Sequence, residues 1–139
     1  MRVISGKVTG LKLESPKNEY VRPTTDRVKE SLFNIINPYI IDSNVLDLFA
    51  GTGSLGIECL SRGASSAIFV DVSKESINIV KSNIKKARVE NESTILNLDF
   101  KNAIDRLKIQ NKKFDIIFMD PPYYKNMFID ALSSIDEAD

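Results

Sequence analysis

Val45-Leu46-Asp47-Leu48-Phe49-Ala50-Gly51-Thr52-Gly53-Ser54-Leu55-Gly56 decides the fold. The apolar run from Val45 to Phe49 has the length of a buried strand, and it leads directly into a G-x-G-x-x-G turn. Glycine at 51 and 53 lets the backbone come close to a ligand with no Cβ in the way, and Gly56 lets the following helix pack tightly on its strand. That helix is predicted from Leu55 to Ser61 and is closed by Gly63.

Downstream, strands and helices alternate. Ala67 to Val70 reads as a second strand ending in Asp71, and Ser73 caps a helix with Ile77, Val80, Ile84 and Ala87 on one face and Lys74, Lys81, Lys85 and Lys86 toward solvent. Thr94 to Leu98 is a third strand before Asp99, Ala103 to Leu107 a short helix, and Phe114 to Met119 a fourth strand before Asp120. Another helix begins in residues 127–137. Apolar strands separated by amphipathic helices indicate a mostly parallel sheet covered on both faces, a doubly wound, Rossmann-like α/β domain. Upstream, Val3, Val8, Leu11 and Leu13 around Gly6 and Gly10 suggest a small β-hairpin. After it, Thr24 or Thr25 can cap a helix whose apolar positions are Val28, Leu32, Ile35 and Ile36, ending near Pro38.

Acids gather where open parallel sheets bind ligands, at the carboxyl ends of the strands. The glycine turn with Asp71, twenty positions beyond Gly51, fits a nicotinamide dinucleotide as well as it fits S-adenosylmethionine. Asp47, four residues before the first glycine, favours the methyl donor, because an acid there can receive the ammonium of a methionine moiety. Asp99 is placed to accept from an adenine amine or to border its plane; the plain alternative for each of these acids is a cap or turn residue.

Asp120-Pro121-Pro122-Tyr123 supplies the reaction. The lone pair of an exocyclic amine is delocalised into its ring, so the nitrogen becomes nucleophilic only when acceptors draw it toward a tetrahedral geometry. The Asp120 carboxylate can take one N–H and the Pro121 carbonyl the other. Consecutive prolines fix φ near −65° and hold that carbonyl in place, and Tyr123 can stack on the base, a contact worth roughly 1–3 kcal/mol. A sulfonium methyl is already a strong electrophile, so this chemistry requires neither metal nor histidine, and the chain has no histidine. That composition removes Ser-His-Asp and Cys-His triads and His-ligated zinc.

The 139 residues are 42% hydrophobic, enough apolar content for one core but not two, so residues 1–139 are expected to form a single domain, with 1–22 as a hairpin arm. No apolar run approaches the roughly 20 residues of a membrane span, and a cytoplasmic protein is expected. The lone Cys59 falls on an apolar helix face as a small core residue. Net charge is zero but uneven: residues 1–30 hold seven Lys/Arg against four acids, which suits a polyanionic partner.

Taken together, these segments resemble the RsmD family of bacterial 16S ribosomal RNA guanine-N2 methyltransferases. The likeness rests on Arg22-Pro23-Thr24-Thr25-Asp26-Arg27-Val28-Lys29-Glu30-Ser31-Leu32-Phe33-Asn34, on Asp47 to Glu58, and on Asp120 to Tyr123, with Ile4-Ser5-Gly6-Lys7 similar to the family's opening. The resemblance implies a class I methyltransferase fold with S-adenosylmethionine as cofactor. Asp47, Phe49, Gly51, Thr52, Gly53, Asp71 and Asp99 would line its pocket, and Asp120, Pro121, Pro122 and Tyr123 would hold a flipped guanine. Arg2, Lys7, Arg22, Thr24 and Arg27 would meet phosphates of 16S rRNA, in an assembling small ribosomal subunit, with no metal and no membrane involved. Family members run to roughly 180–200 residues, so this chain is expected to lack the strands that pair beyond the fourth. The alternatives are an amine methyltransferase acting on adenine N6 or a protein glutamine, a nicotinamide-dependent reductase, and a module that binds cofactor or RNA without turnover.

Overall fold

A computed structural model describes residues 1–15 and 26–119. Its centre is a four-stranded, wholly parallel sheet of β1 (Asn44–Asp47), β2 (Ser66–Val70), β3 (Ser93–Leu96) and β4 (Ile116–Phe118), in the order β3-β2-β1-β4. The chain steps outward from β1 to β3 and then returns to place β4 on the other side of β1. The direction of winding therefore reverses between β1 and β4, the place where such sheets open a crevice at their carboxyl edge.

The two faces follow from side-chain alternation along the strands. Val45, Ala67, Phe69 and Phe118 point to one face, where they pack with α1 (Asp26–Ile36), α2 (Ser54–Ser61) and α3 (Lys74–Ala87) through Phe33, Ile57, Leu60, Val80 and Ile84. Leu46, Leu48, Ile68 and Val70 point to the other, covered by α4 (Phe100–Ile109) through Phe100, Ala103, Ile104 and Leu107. The doubly wound architecture expected from the sequence is present. Cys59 is fully buried, and burial, with Asp47 and Glu58 nearby, pushes its thiol far above the usual range, so it serves as core.

The local rules that set the helices are visible. Ser73 caps α3, its Oγ accepting from the Ser76 amide at 3.2 Å, and Asp99 caps α4, which begins at Phe100, earlier than the apolar pattern alone predicted. Gly56 has no room for a side chain, since a Cβ there would lie 2.4 Å from the Phe69 ring of β2. The glycine thus seats α2 on the neighbouring strand.

Two expectations are corrected. The hairpin is present but shorter than expected, with one antiparallel bridge, Arg2 with Lys12, and the bonds Val3 N–H to Leu11 O, Gly10 N–H to Val3 O and Leu13 N–H to Met1 O. Residues 5–8 turn away because they dock on α2: the Lys7 amide donates to Ser61 O at 2.8 Å and the Val8 amide to Ser61 Oγ at 3.2 Å. In α1, Val28 and Ile35 are 58% and 73% exposed, and the helix buries Lys29 and Phe33 instead, flanked by Leu32 and Ile36. The rotation has an electrostatic cause, because it carries the Lys29 ammonium to a buried carboxylate at Glu58.

Candidate functional site

The glycine turn begins where β1 ends. Gly51 and Gly53 both hold left-handed backbone, φ +59° and +83°, a region that side chains disfavour. A Cβ on Gly51 would meet nothing within 4 Å, so this position faces open space as a ligand-approach glycine should. At Gly53 a Cβ would point at Val80 and Ile57, and the Gly53 amide donates to Ala50 O. Gly53 therefore shapes the turn from below rather than clearing space above it.

Asp71 ties the turn to β2. One carboxylate oxygen accepts from the Gly51 amide at 2.9 Å and the other from the Ser73 amide at 2.9 Å. Asp47 is 2% exposed at the last position of β1, opposite Phe69 of β2 and Phe118 of β4. At Asp99 the capping alternative is realised: its oxygens accept from the Asn102 amide and side chain at 2.8 and 3.1 Å. An ionised carboxylate has about four acceptor sites, so capping does not exhaust it. Asp47, Phe49, Gly51, Thr52, Gly53 and Asp71 thus sit at the carboxyl edge beside the point where winding reverses, with Asp99 beyond β3. β4 delivers the chain to the same edge next to β1, Phe118 O accepting from the Leu48 amide. Asp120, Pro121, Pro122 and Tyr123 lie outside the described residues.

The turn has the features of a cradle for a nucleoside-type ligand. Gly51 opens outward, and the Ser54 hydroxyl, on a residue 4% exposed, has no hydrogen-bond partner among the described residues. A buried hydroxyl in that state is a place where a ligand or water completes the bonding.

Of the residues expected to meet RNA, Arg22 and Thr24 lie outside the described residues. Arg2, Lys7 and Arg27 are exposed. The Lys7 loop packs on the carboxyl end of α2, about 10 Å along that helix from the glycine turn, while Arg27 occupies the first turn of α1.

Three residues that the sequence reading gave no role hold the arm in place. Glu58, fully buried in α2, accepts from the Ile4 amide (2.8 Å), the Ser5 amide (3.0 Å), Arg62 Nε (2.8 Å) and Lys29 Nζ (3.1 Å). Burial alone raises its pKa, but the Ile4 amide, Arg62 and Lys29 outweigh that and hold the carboxyl below its ordinary value. Lys29 also donates to Arg2 O, so one of the seven cations of residues 1–30 is structural. Asn83, fully buried in α3, brackets the other end of the arm. Its Oδ1 accepts from the Glu14 amide at 2.7 Å, and its Nδ2 donates to Glu14 O at 3.1 Å and to Thr52 O at 2.8 Å. The arm and the glycine turn are therefore bonded through one side chain. A polar residue on an otherwise apolar helix face was the available signal for both Asn83 and Glu58.

This sheet order, glycine turn and trailing carboxylate define a Rossmann-like nucleoside-binding domain, a class that includes methyltransferases and dinucleotide enzymes. A family described as "Conserved hypothetical protein 95" matches residues 1–138, and the chain belongs to that family, the RsmD family of the sequence resemblance. The chain is 44% identical over 137 residues to the "Putative rRNA methyltransferase YlbH" of Bacillus subtilis, covering 99% of this chain and 74% of that protein. It is 41% identical to the "Ribosomal RNA small subunit methyltransferase D" of Haemophilus influenzae, covering 99% and 71%. Among solved structures, the "Putative methyltransferase yhhF" of Escherichia coli superimposes with a TM-score of 0.84 at 29% identity, covering 99% of this chain and 73% of that one.

Proposed function

We propose that the protein transfers the methyl group of S-adenosylmethionine to the exocyclic N2 of a guanine in 16S ribosomal RNA, in the cytoplasm and within an assembling small subunit. The observation that carries this reading is the assembly of Gly51, Asp47 and Asp71 at the reversal of winding, where the strand preceding Asp120 also arrives. The choice of ribosomal RNA follows the printed names of the Bacillus and Haemophilus relatives.

In this reading Asp47 receives the methionine ammonium and Asp71 the ribose hydroxyls. Asp99 borders the adenine, while Phe49, Thr52 and Gly53 complete the wall around Gly51. The cofactor, when bound, supplies an electrophilic methyl on a sulfonium with a neutral leaving group. Asp120 and the Pro121 carbonyl accept the two amine N–H groups and so aim the nitrogen lone pair, Pro122 stiffens the turn, and Tyr123 stacks on the base. Arg2, Lys7, Arg22, Thr24 and Arg27 bind phosphates and help to offset the few kcal/mol of base extrusion.

Calorimetry with S-adenosylmethionine and with NAD tests the cofactor. Binding of the first alone is expected; binding of NAD alone would overturn the reading. Asp120→Ala is expected to abolish transfer while cofactor affinity stays within a few fold.

A further inference from the structure

The charge of the amino-terminal arm is not the largest concentration of cations on the molecule. Residues 31–139 carry a surplus of three acids, yet residues 74–88 hold five cations (Lys74, Lys81, Lys85, Lys86, Arg88) against the single acid Glu75. At 100° per residue, Lys74, Lys81 and Lys85 fall within a sector of roughly 40° and extend about 16 Å along the helix axis, and Arg88 follows as the left-handed residue that closes the helix. All four are exposed. The ion pairs among the described residues are Lys29–Glu58 and Arg62–Glu58, so no acid among those residues neutralises the stripe. Lys86, on the flank, donates to Lys12 O at 2.6 Å and so joins α3 to the arm. The stripe begins one residue after Ser73, whose amide bonds to the same Asp71 that holds Gly51, so one end adjoins the glycine turn.

We infer that the outer face of α3 is a phosphate-binding track, on which Lys74, Lys81, Lys85 and Arg88 bind the backbone of the RNA substrate and lead it to the carboxyl edge of the sheet. This rests on the RNA-substrate reading above. A row of unneutralised cations with no acid between them is costly in self-repulsion unless a polyanion covers it. Lysines suit the task as compact point charges that read no sequence, leaving base selection to the catalytic end.

The test is RNA binding measured against salt, with protein-free small-subunit ribosomal RNA as the probe. Three proteins are compared: the unmodified chain, Lys81→Gln/Lys85→Gln, and a control with equal charge change elsewhere, Lys112→Gln/Lys113→Gln, also at exposed positions. Each phosphate contact contributes a slope of about 0.7, or about fivefold in affinity at 0.1 M salt. The stripe variant is expected to lose about 1.4 in slope and about 25-fold in affinity, with cofactor binding unchanged and the control close to the unmodified protein. An unchanged slope in the stripe variant, or an equal loss in the control, overturns the track while leaving the RNA-substrate reading intact. No binding by the unmodified chain, either to this RNA or to small-subunit particles that lack the modification, overturns both.

Discussion

Replacing Glu58 by Gln keeps the shape of the side chain and removes its charge, so it isolates what the buried carboxylate contributes. Four donors converge on it, two of them backbone amides of the arm and two cationic, and the Lys29 ammonium beside it is fully buried. The variant strips that ammonium of its counter-charge 3.1 Å away, and breaking a buried pair by removing one partner costs about 3–5 kcal/mol. Against a total stability of about 5–15 kcal/mol this is a large share. Guanidinium unfolding at pH 7 would show it as a lower midpoint with an unchanged slope. The pH dependence adds a second reading. The folded carboxyl lies below its unfolded value, so its contribution is fully present above about pH 4.3 and is lost as pH falls through the folded pKa. The gap between the two proteins is therefore expected to narrow as pH drops below about 4.3. A loss under about 1 kcal/mol at pH 7, as for a solvated surface pair, would refute the role given to Glu58.

Asn83→Leu removes the partner of Glu14 N–H, Glu14 O and Thr52 O at nearly constant volume; the Glu14 groups are reached by water, so the expected cost is that of the one buried carbonyl of Thr52, about 1–3 kcal/mol. Because Thr52 belongs to the glycine turn, calorimetry on the folded variant is also expected to show weaker S-adenosylmethionine binding; unchanged affinity would separate the bracket from the pocket. Gly56→Ala drives a methyl toward the Phe69 ring and is expected to cost about 1–3 kcal/mol, with Phe69→Leu in the same chain recovering part of it. Strict additivity of those two changes would count against the contact.

The sheet and its turn were legible because their signals are local: apolar runs, a Ser73 cap, glycines at fixed offsets and an acid after β2. The arm was not. Glu14 and Asn83 meet across 69 positions, and Ile4 and Glu58 across 54, so no neighbouring residue carries a trace of either pairing. The apolar pattern of α1 misled for a related reason. Val28 and Ile35 look like core by type, but burying Lys29 against Glu58 sets the rotation of the helix and turns them outward. At Asp99 the sequence left ligand and cap both open, and the cap is present. Gly53 was read as clearing space for a ligand, whereas its Cβ direction meets Val80 and Ile57.

The most direct measurement incubates the protein and labelled S-adenosylmethionine with small-subunit particles that lack the modification, then digests the RNA to nucleosides. Label is expected in N2-methylguanosine and is abolished by Asp120→Ala. Label in N6-methyladenosine or in protein, with none in guanosine, would contradict the proposed function.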